Sequence, residues 1–141
     1  FTDGDPSGTA TFSGAPTNTS NVGAYTVAYT GGLAFGNERY IVSTGNDLAW
    51  SIVARPLTVT VSKVYDGSAL FSSGFSLSNI VNGDTTPTLT GSASTSSDDA
   101  ATYNSFASST LSQNNSNYTL TGATINATIS SKPLNITVSK T

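Results

Sequence analysis

No cysteine, histidine or methionine occurs among the 141 residues. Without cysteine there is no disulfide framework, no thiolate zinc site and no thiol nucleophile. Without histidine there is no imidazole metal ligand, no usual general base and no Ser-His-Asp triad. Charge is scarce as well: Asp, Glu, Lys and Arg make up 9% of the chain, against about 25% in an average domain. Five basic residues against eight acidic ones, with a pI near 4.4, leave no electrostatic footprint for a phosphate backbone. Nucleic acid is therefore excluded as a partner, and polybasic recognition of a membrane surface fails for the same reason. No apolar run approaches the ~18 residues of a membrane-spanning helix, so no membrane insertion is expected.

What the chain does have is hydroxyl. Ser and Thr fill 46 of the 141 positions. Both compete with a helix for backbone hydrogen bonds, and Thr is β-branched, so the composition points to strands joined by turns. Hydrophobic residues make up 36% and the net charge is only −3, which does not fit the low-hydrophobicity, high-charge pattern of a disordered chain.

The sequence also repeats itself. Arg55-Pro-Leu-Thr-Val-Thr-Val-Ser-Lys63 returns as Lys132-Pro-Leu-Asn-Ile-Thr-Val-Ser-Lys140, 77 residues later. At the same displacement Thr11-Phe-Ser-Gly14 returns as Thr88-Leu-Thr-Gly91. Tyr25 matches Tyr103, Leu33 matches Leu111, Asn37 to Tyr40 matches Asn115 to Tyr118, and Gly4-Asp5 matches Gly83-Asp84. The order of these anchors predicts two copies of a unit of about 77 residues, a length that suits a small independent domain.

Each copy reads as strands. Leu57, Val59 and Val61 alternate with hydroxyl residues, as Leu134, Ile136 and Val138 do, the period of a strand buried on one face. Leu48, Trp50 and Ile52 alternate likewise and match Ile125, Ala127 and Ile129, which predicts that Trp50 faces a core. Ala24 to Thr30 is a strand expected to stop at Gly31-Gly32, and Thr121-Gly122 marks a bend inside a strand. Short strands with frequent turn signals predict an all-β chain of two tandem antiparallel β-sandwich (Ig-like) domains. Phe106, Ala107 and Leu111 have helical spacing and suggest a helical turn, so a β-grasp-like variant stays open.

Lys63-Val-Tyr-Asp-Gly67 directly after the Pro-Leu-Thr-Val-Thr-Val strand, then Val81-Asn-Gly-Asp84, Asn117-Tyr-Thr-Leu120 and Lys132-Pro-Leu134, resembles the YDG repeat of bacterial surface proteins. The first half, with Val22-Gly-Ala-Tyr25, Gly32-Leu33 and Asn37 to Tyr40, is similar to the related MBG repeats. The resemblance implies a module of secreted or surface-anchored bacterial proteins, including filamentous haemagglutinin-like adhesins, where such repeats form stalks without catalytic residues or cofactors. Any host or environmental glycan would then bind at a distal region outside this chain.

The domain organisation expected is a first repeat over 1–54 that lacks its first strand, a complete second repeat over 55–131, and a strand over 132–141 that belongs to a following or neighbouring domain. The two ends are complementary. In a longer array that strand would open the following repeat; between identical subunits, Leu134, Ile136 and Val138 would anchor it in the vacant position of the first repeat of the next molecule, head-to-tail.

Other chemistry is thin. Asp3, Asp5, Asp84, Asp98 and Asp99 supply oxygen ligands of the kind calcium takes, but no twelve-residue calcium loop is present, and single Asp residues are routine turn formers. Lys63 or Lys140 could offer an amine for a crosslink to Asn, yet Glu38 is the sole Glu to assist it and Ser116 stands at its equivalent. Six tyrosines, Tyr25, Tyr29, Tyr40, Tyr65, Tyr103 and Tyr118, could stack on sugars, which makes a carbohydrate-binding module the alternative; most recur at repeat-equivalent positions, as core residues must. The sequons at Asn18, Asn114, Asn117, Asn126 and Asn135 are about as many as this much Ser and Thr gives by chance. The function expected is a non-catalytic structural segment of an extracellular adhesin stalk or surface filament.

Overall fold

The structure, a computed structural model, describes residues 7–36, 41–43 and 45–140. It is all-β, with no helix among the described residues. The chain divides into two compact units, Phe1–Val53 and Ala54–Thr141.

The first unit is a three-stranded antiparallel sheet of β1 (Ser7–Ser13), β2 (Gly23–Ala34) and β3 (Leu48–Ile52), in the order β1-β2-β3. The first half of β2 pairs with β3, Tyr25 opposite Trp50, and its second half pairs with β1. The expected stop at Gly31-Gly32 does not occur. Both glycines take positive φ, 132° and 91°, and β2 runs on to Ala34 through a register irregularity opposite Thr11. Glycine has no Cβ to forbid that conformation, so here it bends the strand rather than ending it.

The second unit holds the principal core. β4 (Arg55–Val64) and β12 (Tyr118–Ser130) lie side by side in a four-stranded sheet ordered β6-β4-β12-β9, where β6 is Ser76–Ser78 and β9 is Ala101–Tyr103. Two smaller sheets accompany it: β5 (Leu70–Phe71), β8 (Ala93–Ser94) and β10 (Ser108–Ser109) in one, β7 (Leu89–Thr90) and β11 (Ser112–Gln113) in the other. Seven of the eight strand pairings among the described residues are antiparallel, as the turn-rich sequence predicts. The eighth corrects that expectation: β4 and β12, the first and last strands of the unit, are parallel. A parallel pair needs a long connection between its strands, and the 53 residues from Tyr65 to Asn117 provide one.

The alternation in β4 does what it predicts. Leu57, Val59 and Val61 are buried while Thr60 and Ser62 are exposed. On β12, Ala127 and Ile129 are buried beside them, with Phe71 packed in and Phe75, Tyr103, Phe106 and Ile125 closing the margin. Each fully buried aliphatic side chain stabilises the fold by about 1.5–3 kcal/mol relative to exposure. Phe75 and Phe106 meet edge to face, centroids 6.4 Å apart. The helical turn expected over Phe106 to Leu111 is absent. Ser108 and Ser109 pair with β8 instead, because tertiary pairing outweighs a spacing signal only six residues long. The bend at Thr121-Gly122 is present: between Thr119 and Thr124 β12 advances five residues while β4 advances two, with Gly122 at φ 71°.

Candidate functional site

Three places could carry function: the Tyr-Asp-Gly turn, the acidic residues, and the strand edges.

Lys63 sits at the end of β4, where the alternation of that strand turns its stem toward Phe71. Its ammonium lies 5.1 Å from the centre of the Phe71 ring and donates to Asp66 Oδ1 (2.8 Å), the Ser68 carbonyl (2.5 Å) and the Leu70 carbonyl (2.9 Å). Asp66 Oδ1 also accepts from the Ser68 amide, and Gly67 takes a φ of 79° to close the turn. The hydrogen bond from Lys63 holds the Asp66 carboxyl below the ordinary Asp value. All three ammonium donors are used, so this cluster is a structural knot at the strand end, and Lys63 is not placed for a crosslink to Asn. Composition and periodicity gave no sign of this role for Lys63; its place three residues before an Asp-Gly turn is the signal that could have.

The described acidic residues do not gather into a metal site. Asp84, in the Val81-Asn-Gly-Asp84 turn, accepts a hydrogen bond of 2.5 Å from the Tyr118 hydroxyl, which in turn accepts from the Val81 amide at 3.0 Å. The bond to Asp84, helped by burial, raises the Tyr118 phenol above its ordinary value. Asp99 accepts from the Ser97 hydroxyl at 2.7 Å, and Asp98 and Asp99 belong to no group of three or more such residues. Asp3 and Asp5 lie outside the described residues, as do Glu38 and Tyr40. Among the described residues no three His, Cys, Asp or Glu side chains come together as a metal site.

Four of the five described tyrosines sit in the framework of the sheets. Tyr118 is buried, Tyr25, Tyr29 and Tyr103 are half-buried, and Tyr65 is exposed. Tyr103 stands opposite Ala127 on β12, and its hydroxyl donates to the carbonyl of Asp99, four residues back (2.9 Å). Tyr25 stands opposite Trp50 on β3, and its hydroxyl donates to the carbonyl of Asn21, also four residues back (2.5 Å). These are positions that match in the sequence repeat, and they have one geometry.

That correspondence ends at the other edge of the strand. β12 has β9 on one side and β4 on the other, with Val59 opposite Ile125 and Val61 opposite Ala127. β3 has β2 on one side and no strand among the described residues on the other. The expectation that Trp50 faces a core is therefore corrected: Trp50 is 53% exposed and Leu48 59%. Alternation fixes which residues share a face, but a face is buried only if something covers it. Ala15 and Pro16 after β1, Val27 on β2, and Leu48 and Trp50 on β3 line an open apolar hollow of about 240 Å³.

Residues 132–140 form no strand in the isolated chain. Leu134, Ile136 and Val138 are 87–89% exposed, whereas their counterparts Leu57, Val59 and Val61 are at most 2% exposed. A lone strand cannot satisfy its own backbone, so a segment with strand alternation and no neighbour stays irregular.

No curated protein and no solved structure matches the chain. The YDG domain matches residues 53–127, a span that opens just before β4, holds the Lys63–Gly67 knot and the Tyr118 counterpart turn at Asp84, and closes inside β12. More than half of the sequence lies within it, and the chain belongs to the YDG domain family.

Proposed function

We propose that the chain is a non-catalytic structural segment of an extracellular bacterial protein, built from tandem YDG/MBG-type units and serving as an adhesin stalk or surface filament. The observation that carries this reading is the repeated strand pair: Tyr25 opposite Trp50 and Tyr103 opposite Ala127, each tyrosine bonded to the carbonyl four residues back. Two units of one design in sequence are what a spacer needs. In this reading the second unit is a small β-domain whose parallel first and last strands favour a β-grasp-like variant over an Ig-like sandwich. Pro56 and Pro133 stiffen the entrances to successive strands, since proline fixes φ. The partners are neighbouring repeats or identical subunits placed head-to-tail through the strand over 132–141. The surface setting agrees with a chain that holds no Cys or Met to oxidise and no His to titrate.

A carbohydrate-binding module is less well supported, because four of the five described tyrosines are at least half-buried and only Tyr65 offers an exposed ring. The test is to fuse a globular marker to each end of the chain and measure the marker separation by electron microscopy, with a glycan titration alongside. A narrow separation with no saccharide binding is expected. A broad distribution collapsing toward zero, or saccharide binding that shifts tyrosine resonances, would overturn the stalk.

A further inference from the structure

We propose that the outer edge of β3 is an acceptor site for residues 132–140 of a second copy of this chain, docked as a parallel strand with Ile136 opposite Leu48 and Val138 opposite Trp50. The inference rests on the tandem-unit reading and adds the site, the direction and the register.

The second unit supplies the template. There β4 lies parallel to β12, pairing Val59 with Ile125, Thr60 with Asn126 and Val61 with Ala127. Moving both strands through the sequence repeat of 77 residues places Ile136 against Leu48, Thr137 against Ala49 and Val138 against Trp50. The acceptor side is already in the required state, because β3 holds Tyr25 opposite Trp50 as β12 holds Tyr103 opposite Ala127, and its second edge carries no strand among the described residues. The chemistry matches on both sides. Leu134, Ile136 and Val138 are 87–89% exposed with no strand beside them among the described residues, and Leu48 and Trp50, which Ile136 and Val138 would meet, are exposed apolar side chains on β3. An added strand would satisfy the edge amides and carbonyls of β3 and cover Leu48 and Trp50 together. Trp50 in place of Ala127 is the larger neighbour, and Val138 beside it is no larger than Val61.

Because each chain carries one acceptor edge and one donor segment at different places, the contact is heterologous and propagates head-to-tail. The absence of cysteine makes the register directly measurable. Full-length chains carrying Ala49→Cys are mixed with chains carrying Thr137→Cys under a mild oxidant, and Ser51→Cys chains with Ser139→Cys chains; both mixtures should give crosslinked dimers. Ser51→Cys mixed with Asn135→Cys should not, since those positions meet only in an antiparallel strand. Light scattering of the unmodified chain should show mass rising with concentration, and loss of that rise in Ile136→Asp and Val138→Asp variants, whose substituted positions are exposed and cannot unfold either unit. A crosslink for Ser51→Cys with Asn135→Cys would overturn the parallel register. A crosslink only within a chain carrying both Ala49→Cys and Thr137→Cys would overturn the second copy in favour of the chain's own segment. A monomer at every concentration with no crosslink in any mixture would overturn the acceptor site altogether, while the marker separation would still report on the stalk.

Discussion

The Tyr118 hydroxyl reaches across 34 residues of sequence to Asp84, donating to its carboxylate at 2.5 Å while accepting the Val81 amide at 3.0 Å. Tyr118 is 2% exposed, so the phenol is the partner through which the Val81–Asp84 turn is held to the start of β12. Tyr118→Phe removes the acceptor of one amide and the donor to one carboxylate, and a lower Tm is expected. Asp84→Asn keeps a hydrogen-bond acceptor and should lower the Tm less.

The same pair sets an alkaline limit. The folded state raises the Tyr118 pKa above the ordinary 10.0, mainly through the bond to Asp84. Its stabilising contribution is then fully present below pH 10 and is lost as pH rises through the folded value. Denaturant titrations should show that the stability advantage of the unsubstituted chain over Tyr118→Phe shrinks above pH 10.

At the acid end the sign reverses. Asp66 is held below its ordinary 3.8 by Lys63, so its contribution is present above that value and is lost as pH falls through the lowered one. The gap in stability between the unsubstituted chain and Asp66→Asn should be constant from pH 5 to about 8 and close below about pH 4. Lys63→Met should be worse than Asp66→Asn at neutral pH, because it also leaves the Ser68 and Leu70 carbonyls without their donor.

Core and edge should respond differently to truncation. Ile129 is 1% exposed in the cluster with Val61, Phe71 and Ala127, and Ile129→Ala should cost about 2–5 kcal/mol in a urea titration of the second unit. Trp50→Ala, at an uncovered position, should change the stability of the monomeric chain by about 0.5 kcal/mol or less.

Gly91 has a φ of 101°, and a Cβ added there would run into the carbonyl of Thr110. Gly91→Ala should therefore lower stability by more than about 1 kcal/mol, the strain of the backbone adding to the contact. Its counterpart Gly14, at φ 73° and facing the carbonyl of Thr26, should behave alike, so a pair of thermal melts tests the equivalence of the two positions.

How much of this was legible varied with the range of the interaction involved. Leu57, Val59 and Val61 could be assigned to a buried strand face because the period-2 signal is local to the strand. The parallel partner of that strand could not, since pairing between residues some 66 positions apart leaves no mark on either segment. Trp50 and Ala127 occupy matched places, and alternation gave both the same face; only the three-dimensional surroundings show β4 on the outer side of one and, among the described residues, no strand on the outer side of the other. Gly31-Gly32 misled because glycine serves bends and stops alike. Asp84 was read from its Gly-Asp turn and Asp99 from its pairing with Asp98; the first accepts from Tyr118 at the start of β12, the second from Ser97 within its own loop, and neither partner was visible in those signals.

The parallel run of β4 against β12 has a mechanical consequence. The polypeptide enters the second unit at Arg55 and leaves at Ser130, at opposite ends of the same pair of strands. Tension applied through the chain therefore draws β4 and β12 past each other along their length. The rungs from Tyr118 against Arg55 to Ser130 against Val64 must then yield in shear together, where a hairpin pulled from its open end would unzip rung by rung. By that geometry the unit is expected to resist stretching better than its modest size and hydroxyl-rich composition suggest.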